Sequence, residues 1–235
     1  TEVARGRWAE SLDGIGVFVT WSALAFYLEI LIIGMGVGVV EQLLFLYVIG
    51  VKLEDGSIDG LGGNASLCGT MVLVTVIFEI PLFQWAHEIL RLIGHGGCLL
   101  VAYFCYFVRV WGYTMLTPET VNRILFLEAL HGFTFALLWN ASVEYARQMA
   151  PPKWQSTAQS LLNTIYYSLG AGLGALFGGW VMQHYGAIVM YRGSGAIIFV
   201  LFVIRAVAMT VGRCWNRRAR NNVEAASEYT SLASA

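Results

Sequence analysis

Six apolar stretches, each long enough to cross a lipid bilayer, fill most of this chain and leave it few ways to fold. A bilayer's hydrocarbon core is about 30 Å thick and a helix rises about 1.5 Å per residue, so roughly 20 mostly apolar residues span it. The stretches run over residues 15–47, 65–86, 96–116, 124–146, 158–182 and 187–212. In lipid every backbone N–H and C=O must find a partner, which favours the α-helix for runs of this length. Composition agrees: 57% of the residues are apolar and 12% charged, against about 25% charged in soluble domains. The expectation is an all-α, multi-pass membrane protein with six transmembrane helices over residues 15–212. A cytoplasmic segment, 1–14, precedes them, and a cytoplasmic, unstructured tail, 213–235, follows.

Loop charges orient these spans, because Lys and Arg are retained on the cytoplasmic side. With six spans both termini share a side. That side carries Arg5, Arg7, Arg91, Arg147, Lys153, Arg213, Arg217, Arg218 and Arg220, whereas the opposite loops carry Lys52, Arg123 and Arg192. Both termini are therefore expected in the cytoplasm. The outer loop holds a sequon, Asn64-Ala65-Ser66, close to the start of a span.

Several function classes fall away at once. No basic run interleaved with aromatic residues offers a nucleic-acid surface, and the arginines of the tail read as a membrane anchor. Cys68, Cys98, Cys105 and Cys214 have no paired spacing, so neither a disulfide framework nor a zinc site is expected. No metal or cofactor motif is present. The GAGLGALFGG string (Gly170 to Gly179) superficially suggests a phosphate loop, but no strand precedes it and the apolar run continues on both sides. Small residues at intervals of four, Gly170, Gly174 and Gly178, read instead as a helix-packing face, as do Gly34, Gly36 and Gly38. Pro81, two residues after Glu79, is expected to bend its helix beside that carboxylate. The chain opens on Thr1 without a methionine or signal peptide, which suggests a piece of something longer.

Charged residues inside the spans carry the functional expectation, since a charge at a helix centre costs about 2.5–3.5 kcal/mol on insertion scales. Counted from span midpoints, Glu79, Arg109 and His131 each lie within roughly 6 Å of the midplane along their helices. Three consecutive spans thus offer an acid, a permanent cation and an imidazole at one depth. Glu128 stands three residues before His131 and shares its helix face. An acid there is expected to favour the imidazolium form. The blander readings are an ion pair of Glu79 with Arg109 that locks two helices, and a hydrogen-bonded core histidine. Glu41 lies toward the outer mouth of its span, Glu29 deeper, and Arg205 close enough to the cytoplasmic end to reach the interface.

The stretches EQLLFLYV (Glu41 to Val48), FEIPLF (Phe78 to Phe83), LEALHGFTFALLWNASVEYARQMAPP (Leu127 to Pro152) and STAQSLLNTIYYSLGAGLGALFGG (Ser156 to Gly179) resemble the C-terminal half of a major facilitator superfamily transporter. The branch they resemble is that of the superfamily's domain-containing protein 6. The resemblance implies one six-helix half, a pair of inverted three-helix repeats, of a twelve-helix carrier whose N-terminal half is its partner. More distantly, the chain is similar to lactose-permease-type proton symporters. That similarity puts Glu41, Glu79, Arg109 and His131 on sugar- or proton-handling positions. Glu128 stands where that type has a lysine, and Thr134 where it has the proton-carrying glutamate.

The expected function is secondary active transport of a small polar solute by alternating access, with proton coupling and a sugar or nucleoside solute suggested by the distant resemblance. Glu79, Arg109 and Glu41 are the expected solute contacts, Glu128 and His131 the expected proton-coupling pair. Protons, the missing half and the lipid bilayer are the other expected partners, and no cofactor is. The alternative is a non-transporting receptor or scaffold on a transporter fold. An enzyme is not expected: an intramembrane hydrolase needs a serine facing a histidine, and Ser194 and His131 lie at different depths of different spans.

Overall fold

Thr20 caps the first helix, its Oγ1 accepting from the Ala23 N–H at 3.3 Å, and Gly50 ends it with φ at 79°. Between them α1 (Trp21–Ile49) is apolar all round and largely buried, as expected of a helix enclosed by others. The computed structural model describes residues 16, 18, 20–52 and 58–233; the N-terminal segment 1–14 lies outside them. A two-residue antiparallel pair, β1 (Val51–Lys52) with β2 (Ile58–Asp59), follows α1. Asn64 then caps α2 (Ala65–Tyr113), its Oδ1 accepting from the Leu67 N–H at 2.9 Å.

As one straight rod the 49 residues of α2 would measure about 74 Å, more than twice a bilayer core. They do not form one rod. Gly94 sits inside at φ 69°, ψ 171°, a backbone region essentially restricted to glycine. Thr75 and Arg109, about 51 Å apart on an unbroken helix, both bond the same oxygen of Glu128. The chain therefore doubles back at Gly94, dividing α2 into a first limb, 65–93, and a second limb, 95–113. Pro81 was the expected bend, yet Gly94 is the one interior residue of α2 with non-helical dihedrals.

A 3-10 turn (Pro118–Arg123) leads into α3 (Ile124–Glu128) and α4 (His131–Met149). The intervening Ala129 and Leu130 keep right-handed helical dihedrals, so α3 and α4 continue one path. After a second 3-10 turn (Pro152–Trp154) come α5 (Gln155–Asn163), a π-helical stretch (Thr164–Gly170) and α6 (Ala171–Tyr185). The last helix, α7, runs Ala187–Ala233. The tail expected to be unstructured thus continues the helix, in keeping with a stretch after Gly212 that holds no glycine or proline. Among the described residues, five helical stretches are long and apolar enough to cross a membrane: Trp21–Ile49, Ala65–Tyr113, Pro118–Met149, Pro152–Tyr185 and Ala187–Trp215.

The expected small-residue faces meet each other. α1 packs along the π stretch and α6, and a Cβ added to Gly174 would lie 2.0 Å from the Met35 carbonyl oxygen. One added to Gly38 would lie 2.5 Å from the Ala171 Cα. Backbones this close need glycine on both helices. Around this contact, Tyr103, Tyr106, Tyr113, Tyr166 and Tyr191 are fully buried. Large apolar side chains such as Leu73, Ile80 and Ile204 are exposed, the pattern suited to a lipid environment rather than water.

Candidate functional site

Each helix that builds the site offers a pair of residues on one face. Thr75 and Glu79 stand four apart on the first limb of α2, Arg109 and Tyr113 four apart on the second, and Glu128 and His131 three apart at the α3–α4 junction. The reversal at Gly94 lets both limbs of α2 lie against that junction. Gly132 allows the approach on one side, since a Cβ there would meet the Phe78 backbone at 2.9 Å.

Arg109 is the centre of the cluster and is 4% exposed. Its Nη2 donates to Glu128 Oε2 at 2.9 Å, and its Nη1 lies 2.9 Å from His131 Nδ1. A guanidinium only donates, so Nδ1 accepts, and the ring is the neutral tautomer with its proton on Nε2. Nε2 faces Glu79 Oε2 at 3.8 Å, too far for a hydrogen bond. Glu128, itself 4% exposed, also accepts from Tyr113 Oη and, at 3.3 Å, from Thr75 Oγ1. The Tyr113 ring lies 5.7 Å from the guanidinium carbon, within cation–π range. Arg109 Nε is buried with no hydrogen-bond partner among the described residues.

The cluster opens into a cavity of 160 Å³ whose wall includes Glu41, Thr75, Arg109, Glu128 and His131. Glu41 reaches it from α1 and is exposed, close enough to Arg109 and Glu79 to interact electrostatically. From His131 a row of rings follows α4 at four-residue steps, with centroids 5.8 Å apart to Phe135 and a further 6.1 Å to Trp139. Tyr167 of the π stretch packs on Trp139 at 5.2 Å. The partly open pocket is thus bordered by the carboxylates of Glu41 and Glu128 and by apolar side chains such as Leu44, Phe45 and Met71, and the ring row starts from its His131 wall.

The five residues singled out in the sequence therefore meet in space, but two pairings differ from expectation. Arg109 bonds Glu128, not Glu79, because Glu128 points to the second limb of α2 while Glu79 points to the far side of His131. Glu128 and His131 share a face without bonding each other. Arg109 stands between them, so the acid does not favour the imidazolium; His131 is held neutral by the donor it accepts from. Arg205 does not end at the interface either. Its Nη1 meets Glu29 Oε2 at 2.5 Å, and Tyr103 Oη donates to Glu29 Oε1 at 2.8 Å. Tyr113, Thr75 and the ring row had not been singled out. Their signal was the four-residue spacing from Arg109, Glu79 and His131.

Among known proteins, the chain is 26% identical over 146 residues to a maltose permease of Geobacillus stearothermophilus, covering 61% of this chain and 36% of that protein. It is 27% identical over 107 residues to the major facilitator superfamily domain-containing protein 6-like of Danio rerio, covering 45% of this chain and 19% of that protein. For the human protein of the same description the identity is 23% over 137 residues, 56% of this chain and 22% of that protein. The chain thus matches about a third or less of the length of these relatives. No solved structure matches it. Residues 5–193 match the MFS_1 like family, four-fifths of the chain, and with the helical fold and the charge cluster described above, the chain belongs to that family of major facilitator proteins.

Proposed function

We propose that this chain is a six-span half of a membrane carrier that moves a small polar solute by alternating access, and that the cavity beside Arg109 is where the solute and the driving proton act. The observation that carries the reading is the convergence of Glu41, Arg109, Glu128 and His131, from three parts of the sequence, on one cavity among apolar helices. Charged groups at such depth are costly unless they do something. Counting the two limbs of α2 as separate crossings would make six, and the excess of basic residues on one side supports both termini in the cytoplasm. A second, N-terminal half of similar build would close the open side of the cavity, where Glu41 and Phe45 are exposed. Two inverted three-helix repeats would be the internal organisation.

A sugar is the solute class best supported. The similarity to a protein called maltose permease agrees with a pocket that sets carboxylates, able to accept from hydroxyls, beside apolar side chains such as Leu44 and Phe45. Glu79 and Glu41 would take the hydroxyl contacts. Proton coupling would run through Arg109, whose two occupied donors face Glu128 and His131. Protonating His131 removes an acceptor and brings a second cation beside the guanidinium. Protonating Glu128 removes the opposing charge. Either event releases Arg109 toward the cavity, so the two sites communicate without touching.

The experiment is uptake of a panel of labelled mono- and disaccharides by the full-length protein in proteoliposomes, with and without an inward proton gradient. Gradient-stimulated accumulation of at least one sugar, lost in Glu79→Gln with its binding and lost in His131→Gln without it, is the expected result. Absence of uptake for every sugar, with the protein folded and its partners bound as before, would favour a receptor or scaffold on this fold.

A further inference from the structure

A second pair of opposite charges lies away from the carrier cavity. Glu29 of α1 and Arg205 of α7 border a separate cavity of 600 Å³, whose remaining wall is apolar and includes Leu28, Ile204, Ala208 and Met209. Its rim is open, since Leu28 and Ile204 are 57% and 60% exposed. The pair is only partly used. Of Arg205's nitrogens, Nη1 alone makes a hydrogen bond among the described residues, and a guanidinium has five N–H donors. Glu29 accepts one bond on each oxygen, from Tyr103 and from Arg205, where a carboxylate has about four lone-pair sites.

The trough therefore presents, side by side at one end of an apolar surface, unsatisfied donors of a cation and unsatisfied acceptors of an anion. We propose that it binds a zwitterionic phospholipid carrying a primary amine. The phosphate would lie on the free edge of Arg205, the ammonium would donate to Glu29, and the acyl chains would follow the apolar wall between α1 and α7. An anionic headgroup without an amine meets Arg205 but is repelled by Glu29. A quaternary amine brings charge but no N–H to donate. Arg205 lies eight residues before Arg213, about 12 Å along the helix, so the headgroup would be drawn inward from the headgroup layer to meet the side chain held on Glu29.

The test is native mass spectrometry of the full-length protein released from nanodiscs containing equal parts phosphatidylethanolamine, phosphatidylcholine and phosphatidylglycerol. Wild type should retain phosphatidylethanolamine about tenfold over phosphatidylglycerol, the equivalent of one charge-assisted contact. Glu29→Gln should bring that ratio to about one. Ala208→Phe, which fills the trough and leaves both charges in place, should remove the retained lipid while solute binding persists. Retention in wild type that mirrors the bulk lipid ratio overturns the proposal. So does an unchanged preference in both variants, provided they bind solute as wild type does. Because solute binding is measured separately, failure here leaves the carrier reading standing, and the reverse also holds.

Discussion

Glu128 accepts from Arg109, Tyr113 and Thr75 and is buried, so removing its charge strands a cation in low dielectric. Breaking a buried pair by losing one partner costs about 3–5 kcal/mol, whereas removing both costs far less. Glu128→Gln should therefore lower thermal stability in detergent strongly, and Glu128→Gln with Arg109→Gln should recover most of the loss. Strictly additive losses in that cycle would mean the two side chains are not coupled. Tyr113→Phe removes one charge-assisted hydrogen bond and should cost about 1.5–3 kcal/mol by the same measurement. The positions of Glu79, Arg109 and His131 along their helices were legible from the sequence because helix rise is constant. Their partners were not, because pairing depends on how far each helix is rotated about its own axis. A small rotation decides whether Arg109 meets Glu79 or Glu128.

At the scale of elements, the contact of α1 with α6 rests on glycine. Gly174→Leu forces a side chain into the Met35 backbone, while Gly172, two residues away, has open space around its missing Cβ. Gly172→Leu should leave folded yield and melting temperature near wild type, and Gly174→Leu should reduce both sharply; equal effects would contradict the packing. Gly94→Ala probes the reversal in α2. A non-glycine residue at φ 69°, ψ 171° is strained by about 1–3 kcal/mol, which a shift in melting temperature should report. The small-residue faces could be read as packing surfaces from the sequence. Which helices they join could not, since intervals of four mark a face but not its partner. The π stretch at Thr164–Gly170 was likewise hidden, because a locally widened turn leaves no sign in an apolar run.

For the whole molecule, the proposed topology of six crossings with both termini inside makes a direct prediction. In a cysteine-free background, a cysteine at Glu119 should react with an impermeant reagent added to intact cells, and one at Arg217 should react only after permeabilisation. The opposite pattern would reverse the orientation. On the proposed half-carrier reading, the facing wall of the cavity would come from the other half. These 235 residues in proteoliposomes should not accumulate solute; robust uptake by the purified monomer would remove the half-carrier reading.

Hydrophobic length and the period of the helix are one-dimensional properties, and they determined the all-helical membrane class and the position of each charged residue along its apolar stretch. Tertiary structure decided the rest. It set the turn between the second and third spans at Gly94, put Arg109 between Glu128 and His131, and held Arg205 on Glu29 instead of leaving it to reach for the interface. The reason is geometric: a sequence records where a residue lies along its helix, while a hydrogen bond between helices depends on rotation, tilt and the close approach that glycines permit.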